Sequence, residues 1–131
     1  MHVFPLYAAL LAIFFAGLSV RTLLLRRRLH IALGDAGNAT LLRAIRAHSN
    51  FAEHVPICLI LLATMERQGA SVWSLHVLGT MLILGRVSHA FGVSQLNENF
   101  RFHVTGMVLT LSVILVAACV LLIGFVGNVA R

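Results

Sequence analysis

Lysine does not occur in this 131-residue chain: all ten basic residues are arginine, and they face only four acids, Asp35, Glu53, Glu66 and Glu98. Charged residues make up 11% of the sequence and apolar residues 60%, with a mean hydropathy of +0.95. So little charge on so apolar a chain excludes an ordinary soluble domain; its solvent is lipid. The net charge of +6 invites a nucleic-acid reading. However, no aromatic residues interleave with the arginines to stack bases, and positive charge beside apolar segments reports membrane topology. No nucleic-acid partner is expected. Cysteine is scarce too, and Cys58 and Cys119 form no C-x-x-C pattern; both read as buried packing residues, not a disulfide or metal pair. The first apolar segment has little positive charge before it and no clear small-residue cleavage site, so it reads as a retained span.

What is present is four apolar segments in a single domain, residues 1–131, with no repeat or low-complexity tract. The spacing predicts spans over about 3–25, 40–65, 72–91 and 104–129, an all-α integral membrane bundle of four transmembrane helices. The first carries Ala8, Ala12 and Ala16 at four-residue spacing, an edge that lets helices approach closely, tolerates Pro5 in its first turn, and stops at Arg26-Arg27-Arg28. Gly34-Asp35-Ala36-Gly37-Asn38 forms the first link, Glu66-Arg67-Gln68-Gly69 a tight exposed turn, and residues 92–103 the third link. Trp73 and Tyr7 read as anchors at the membrane interface. Arg26, Arg27, Arg28, Arg43, Arg46, Arg86 and Arg101 gather at the first and third links, with Arg21 one turn deeper. Only Arg67 and Arg131 mark the other face. The positive-inside rule then turns the arginine-rich links to the cytoplasm and both termini away from it.

The polar residues inside the spans are the candidates for chemistry. Arg46, Asn50 and Glu53 stand at i, i+4 and i+7, one stripe of a helix spanning roughly 10 Å at 1.5 Å per residue. An ionised side chain at membrane depth costs about 2.5–3.5 kcal/mol on insertion scales, so this stripe needs a partner, a polar ligand or a water-filled cleft. Arg86 and His89, at i and i+3, leave the third segment toward the same side. Pro56, which lacks an N–H, frees the carbonyl of Ala52 nearby. Together they describe a polar cleft opening to the cytoplasm. Two readings stand: Glu53 pairs with Arg86 or a neighbouring arginine and pins the bundle, or the cleft takes an anionic or zwitterionic ligand, for which the bidentate fork of arginine is suited. His48, His54, His76 and His89 share no ligand face, so neither metal nor haem is expected; His89 reads as a hydrogen-bonding group in the cleft, His30 and His103 as interfacial.

Arg46-Ala-His-x-Asn50-x-x-Glu53-x-x-Pro56, followed by an apolar helix, resembles the signature of the MAPEG family, membrane-associated proteins in eicosanoid and glutathione metabolism. Gly85-Arg86-Val87-x-His89 and the four-span layout are similar to that family over nearly the whole chain, closest to short bacterial members in which Gly34-Asp35-x-Gly37 precedes the signature. The resemblance implies a homotrimer of left-handed four-helix units in the bacterial inner membrane, both termini periplasmic, with three glutathione sites at subunit interfaces. It implies that Arg46, Asn50 and Glu53 bind the tripeptide's polar groups, Glu53 taking its ammonium. His54 stands where some members place a glutathione-contacting tyrosine, and Arg27 or Arg28 would contact a carboxylate from the adjacent subunit. Active members stabilise the glutathione thiolate with an arginine near the start of helix four, sometimes helped by a serine. Here Arg101 lies about one turn early, Val104 or its neighbour occupies the expected place, and Thr105 stands for the serine. Phe91 and Val93 replace the tyrosines of eicosanoid-forming members.

The expected function is a membrane-embedded glutathione-binding protein, a transferase or peroxidase acting on apolar electrophiles or lipid hydroperoxides, with Arg101 and Thr105 as catalytic candidates. Arg27, Arg28, Arg46, Asn50, Glu53, His54, Arg86 and His89 are the candidates for glutathione binding. The alternatives are a small proton-coupled exporter and a non-catalytic assembly subunit.

Overall fold

The structure, a computed structural model, describes residues 2–97 and 99–129, the side chain of Asn128 excepted. Glu98, one of the four acids, and Arg131, one of the two arginines that mark the far face, lie outside the described residues. The chain is all-helical: α1 (Phe4–Leu29), α2 (Ala39–Arg67), α3 (Val72–Ser94) and α4 (Phe100–Val129). Contacts set their directions. The start of α1 meets the end of α2 and the start of α3, through Val3 and Phe4 with Glu66 and through Tyr7 with His76. Its end meets the start of α2 through Thr22 and Ala44, and Gly92 of α3 abuts His103 of α4. The helices therefore run alternately up and down.

α1, α3 and α4 are long and apolar enough to cross a bilayer. α2 is long enough at 29 residues, but Arg43, Arg46 and Glu53 interrupt its first half. Four spans were expected; by length and composition three qualify, and α2 lies alongside them. Its buried residues, Leu41, Ala44, Ala47, Phe51, Val55, Cys58, Leu62 and Met65, recur at steps of three and four, the inward stripe of an amphipathic helix.

The helix ends differ from expectation at two places. α1 continues through the arginine triplet to Leu29 and closes with His30 in the left-handed region, φ 55°. Arginines in a last turn complement the helix dipole and leave the backbone free to continue. Arg26 instead folds the following link onto itself, donating to the carbonyls of Ala32 at 3.2 Å and Gly34 at 2.9 Å. α4 begins at Phe100, four residues before the expected Val104, so Arg101 and His103 are helical. The first link ends at Asn38, whose Oδ1 accepts from the Leu41 N–H at 3.0 Å and caps α2. Ser71 caps α3 in the same way through the Ser74 N–H.

α3 and α4 are the most closely apposed pair. A Cβ on Gly106 would lie 2.4 Å from the backbone nitrogen of His89, and one on Gly92 2.5 Å from the backbone nitrogen of His103. Only glycine permits this approach, which sets His89 and His103 side by side with ring centroids 4.7 Å apart.

Three packing expectations are corrected. Tyr7 is not an interfacial anchor but a buried residue. Its hydroxyl lies 2.9 Å from His76 Nδ1 and 3.1 Å from Thr80 Oγ1, and it donates to the His76 carbonyl. A buried phenol keeps its hydroxyl satisfied, and this network does so. Cys119 is exposed on α4, unlike buried Cys58, because α4 buries only a narrow stripe that includes Thr110, Val113 and Ala117. The turn after α2 exists, with Gly69 at φ 80°, but Glu66 is engaged: its Oε1 accepts from the Phe4 N–H at 2.9 Å and from the Val3 N–H. Val3 gives α1 no side-chain cap, so an acid from another helix supplies it. Trp73 is 80% exposed at the start of α3.

Candidate functional site: a polar cleft between α2 and the α3–α4 pair

Arg46, Asn50 and Glu53 lie on the face of α2 turned toward the ends of α3 and α4. There they line a cleft of about 380 Å³ with Arg43, His89 and His103. Such a volume lies within the range of about 300–1,000 Å³ usual for small-molecule sites. One wall is the α2 stripe; the other is His89, Val93 and His103, brought together by the glycine contacts between α3 and α4.

Two of the charges on the α2 wall are open to the cleft. Arg46 and Glu53 are exposed, and neither side chain has a hydrogen-bond or ion-pair partner among the described residues. The ion-pair contact there is His2 with Glu66, 3.3 Å apart at the opposite end of the bundle. Glu53 is thus not paired with Arg86. Arg86 is 1% exposed and directs Nη1 to Asn50, donating to its Oδ1 at 2.8 Å and its carbonyl oxygen at 3.4 Å. Nη2 donates to the Gly106 carbonyl at 3.5 Å, and Nε has no partner. Arg86 therefore sits behind the cleft, beneath Asn50.

Arg43 Nη1 donates to the Val93 carbonyl at 3.1 Å, fastening α2 to the end of α3, where a cation complements the helix dipole. Arg21 reaches the same end and donates to Ser94 Oγ.

The remaining sequence candidates lie elsewhere. His54 Nδ1 donates back to the Asn50 carbonyl at 2.9 Å and is outside the cleft. Arg101 and Thr105 are exposed on α4 and do not line it, and Arg27 and Arg28 are exposed at the end of α1. His48 turns to α1, 2.9 Å from Ser19 Oγ and stacked on Phe15 at 4.7 Å. Near it a second recess of about 350 Å³ opens on the outside of α1 and α2, lined by Ser19, Thr22, Arg26 and His48 among others. Among the described residues no group of three His, Cys, Asp or Glu could hold a metal ion.

Sequence reasoning missed two ionisable cleft residues, Arg43 and His103. Arg43 was legible, since 43, 46, 50 and 53 step by three, four and three along one stripe. His103, read as interfacial, was not legible: its place depends on the early start of α4 and on the glycine contact at Gly92.

The chain matches the model of the MAPEG family over residues 4–123. It is 37% identical over 102 residues to the inner membrane protein YecN of Escherichia coli K12, covering 78% of this chain and 76% of that protein. The YecN protein of Escherichia coli O6:H1 strain CFT073 matches to the same extent. No solved structure matches the chain. The signature on α2, the glycine-packed α3 and the family match over nearly all of four helices agree, and the chain belongs to the MAPEG family.

Proposed function

We propose that this chain is a glutathione-binding protein of the inner membrane, acting as a glutathione transferase or peroxidase on apolar electrophiles or lipid hydroperoxides. One observation carries the reading: Arg46 and Glu53 stand open, without protein partners among the described residues, in a cleft of about 380 Å³ on an otherwise apolar bundle. Glutathione presents two carboxylates and one ammonium. Arg43 and Arg46 complement the first, Glu53 the second, and the excess of cations matches the ligand's net negative charge. The thiol is then left to the opposite wall, His89 and His103.

An imidazole there can take the thiol proton as general base. In conjugation the thiolate sulfur bonds to the electrophilic carbon as the leaving anion departs. In peroxide reduction two glutathione molecules become the disulfide while the hydroperoxide becomes alcohol and water. The apolar partner reaches the site from the bilayer. Arg101 and Thr105 are exposed away from the cleft, so in this reading they act only on the cleft of a neighbouring subunit.

The same reading includes a trimer. Charged groups open to one side of a membrane bundle need a cover, and a neighbour presenting the end of α1 offers Arg27, Arg28 and the recess beside His48. Ala12 and Ala16, exposed on α1, allow close approach. With Arg21, Arg26, Arg27, Arg28, Arg43, Arg46 and Arg101 toward one end and Arg67 at the other, both termini face the periplasm and the cleft opens to the cytoplasm. This placement disfavours a proton-coupled exporter, because among the described residues no continuous path of ionisable groups leads from Glu53 to the far end.

Retention on immobilised glutathione tests binding: the wild type is held, and Glu53→Gln and Arg46→Ala are not. Conjugation of a chlorinated nitrobenzene tests chemistry, with His103→Gln expected to lower kcat about 100-fold, the lower range for general-base loss, and Arg101→Ala alongside. Retention without ultraviolet thiolate absorbance or turnover would leave a binding subunit only.

A further inference from the structure

Arg86 is the most deeply buried charge in the described structure, 1% exposed, and its contacts are unusual for a membrane arginine. No acid meets it among the described residues. Its acceptors are the side-chain oxygen of Asn50 at 2.8 Å, the Asn50 carbonyl at 3.4 Å and the Gly106 carbonyl at 3.5 Å, with Met107 Sδ at 3.8 Å. One guanidinium nitrogen thus contacts both oxygens of a single asparagine. Keeping an unpaired cation at this depth is expensive, and well-packed apolar residues would stabilise the bundle at least as well.

The chemistry of the pair has a directional consequence. A guanidinium has donors and no acceptor. The Asn50 carboxamide must therefore turn its oxygen toward Arg86, which leaves its two N–H groups pointing away. Asn50 lines the cleft, between the open side chains of Arg46 and Glu53. A free carboxamide could offer the cleft either its oxygen or its nitrogen; with Arg86 beneath it, only the nitrogen remains. The buried positive charge also polarises the amide, making each N–H a stronger donor, as in chains of hydrogen bonds in a low-dielectric interior.

We propose that Arg86 is a positioning residue that locks the Asn50 carboxamide with its N–H groups in the cleft, making Asn50 an obligatory donor to an anionic group of the bound ligand. This rests on the glutathione reading for the ligand's identity, but the locking itself does not. The cleft then selects against a cation at Asn50 and admits one only at Glu53, so a zwitterionic peptide has one permitted direction. Arg86 takes no part in contact with the ligand.

Two measurements test this in the full-length protein in detergent. The first is a double-mutant cycle on glutathione affinity with Arg86→Gln and Asn50→Ala. Each single change is expected to weaken binding at least tenfold, and the pair to weaken it no more than Asn50→Ala alone, because Arg86 acts through Asn50. Asn50→Asp keeps an acceptor for Arg86 and replaces the donor with a negative charge; it should fold as the wild type does and lose binding most. Additive losses in the cycle, or Asn50→Asp binding as well as the wild type, would overturn the proposal.

The second needs no ligand. The side-chain 15N–1H pair of Asn50, assigned by its loss in Asn50→Asp, should be a single slowly exchanging pair in the wild type and broadened in Arg86→Gln, with Arg86→Lys between them. An Asn50 amide equally mobile with and without Arg86 refutes the locking. Absence of glutathione binding by the wild type with a locked amide would instead refute the ligand and leave the lock standing.

Discussion

The two ends of this bundle treat their polar residues in opposite ways. At the end where α1 begins, Tyr7 and Glu66 are met by protein. The Tyr7 hydroxyl is shared among His76 Nδ1, the His76 carbonyl and Thr80, and Glu66 caps α1 with His2 beside it. At the end where α1 finishes, Arg46 and Glu53 stand open around a cleft, and a buried arginine orients an amide into it. In a medium where an unmet polar group costs several kcal/mol, satisfaction marks structure and openness marks a site. The same residue types serve both purposes; the difference is whether the protein supplies the partner.

That contrast can be broken from either end. The largest effect is expected at the open end. Glu53→Gln should reduce glutathione affinity by about 10- to 100-fold, the worth of a charge-assisted hydrogen bond of about 1.5–3 kcal/mol, with thermal stability unchanged. Calorimetric titration beside a melting curve checks both, and a fall in melting temperature equal to the loss of binding would show that Glu53 is structural after all.

Next comes the seam behind the cleft. Gly106→Ala forces a Cβ to within 2.4 Å of the His89 backbone nitrogen. It should cost about 1–3 kcal/mol of stability, as overpacking does, and weaken binding as well, since it parts His89 from His103. Denaturant unfolding and glutathione retention on the same preparation read the two effects.

A smaller change is expected at the closed end. Tyr7→Phe removes the hydroxyl from His76 and Thr80 and should cost about 1 kcal/mol, with glutathione binding intact. Loss of binding in this variant would mean that the two ends are coupled.

The smallest effect concerns pH. Hydrogen bonds from the Phe4 N–H, joined by the Val3 N–H and by His2, hold the Glu66 carboxyl below its ordinary value of 4.5. The folded state therefore favours the carboxylate, and the unfolded chain binds the proton first as pH falls. The contribution of Glu66 is fully present above about pH 4.5 and disappears as pH drops through the lowered value. Melting temperature followed from pH 6 downward (about one unit per step) should fall more steeply in the wild type than in Glu66→Gln. Parallel curves would remove Glu66 from the account.

Much of this was legible before any coordinates. The α2 stripe was read from spacing alone, because a helix repeats every 3.6 residues, and Arg43 belonged to the same stripe. The ends of elements were read less well. Arg26-Arg27-Arg28 marks the end of a span, but charge ends a span without ending a helix. The apolar pattern puts the start of the fourth span at Val104, although Phe100-Arg101-Phe102-His103 already forms the first turn of α4. Tyr7 is ambiguous in the sequence because an amphipathic ring suits the interface and the core equally well; only the positions of His76 and Thr80 decide between them.

By itself the order of residues determined the solvent, the four helices, their alternation and the polar stripe on α2. These depend on composition and on local periodicity, which a chain carries wherever it goes. The partner of each polar group was decided only in three dimensions: Asn50 and not Glu53 for Arg86, Glu66 for the first turn of α1, His103 for the wall opposite Arg46. Such pairings join residues tens of positions apart, and their geometry is set where glycines let two helices touch. No local pattern encodes that distance.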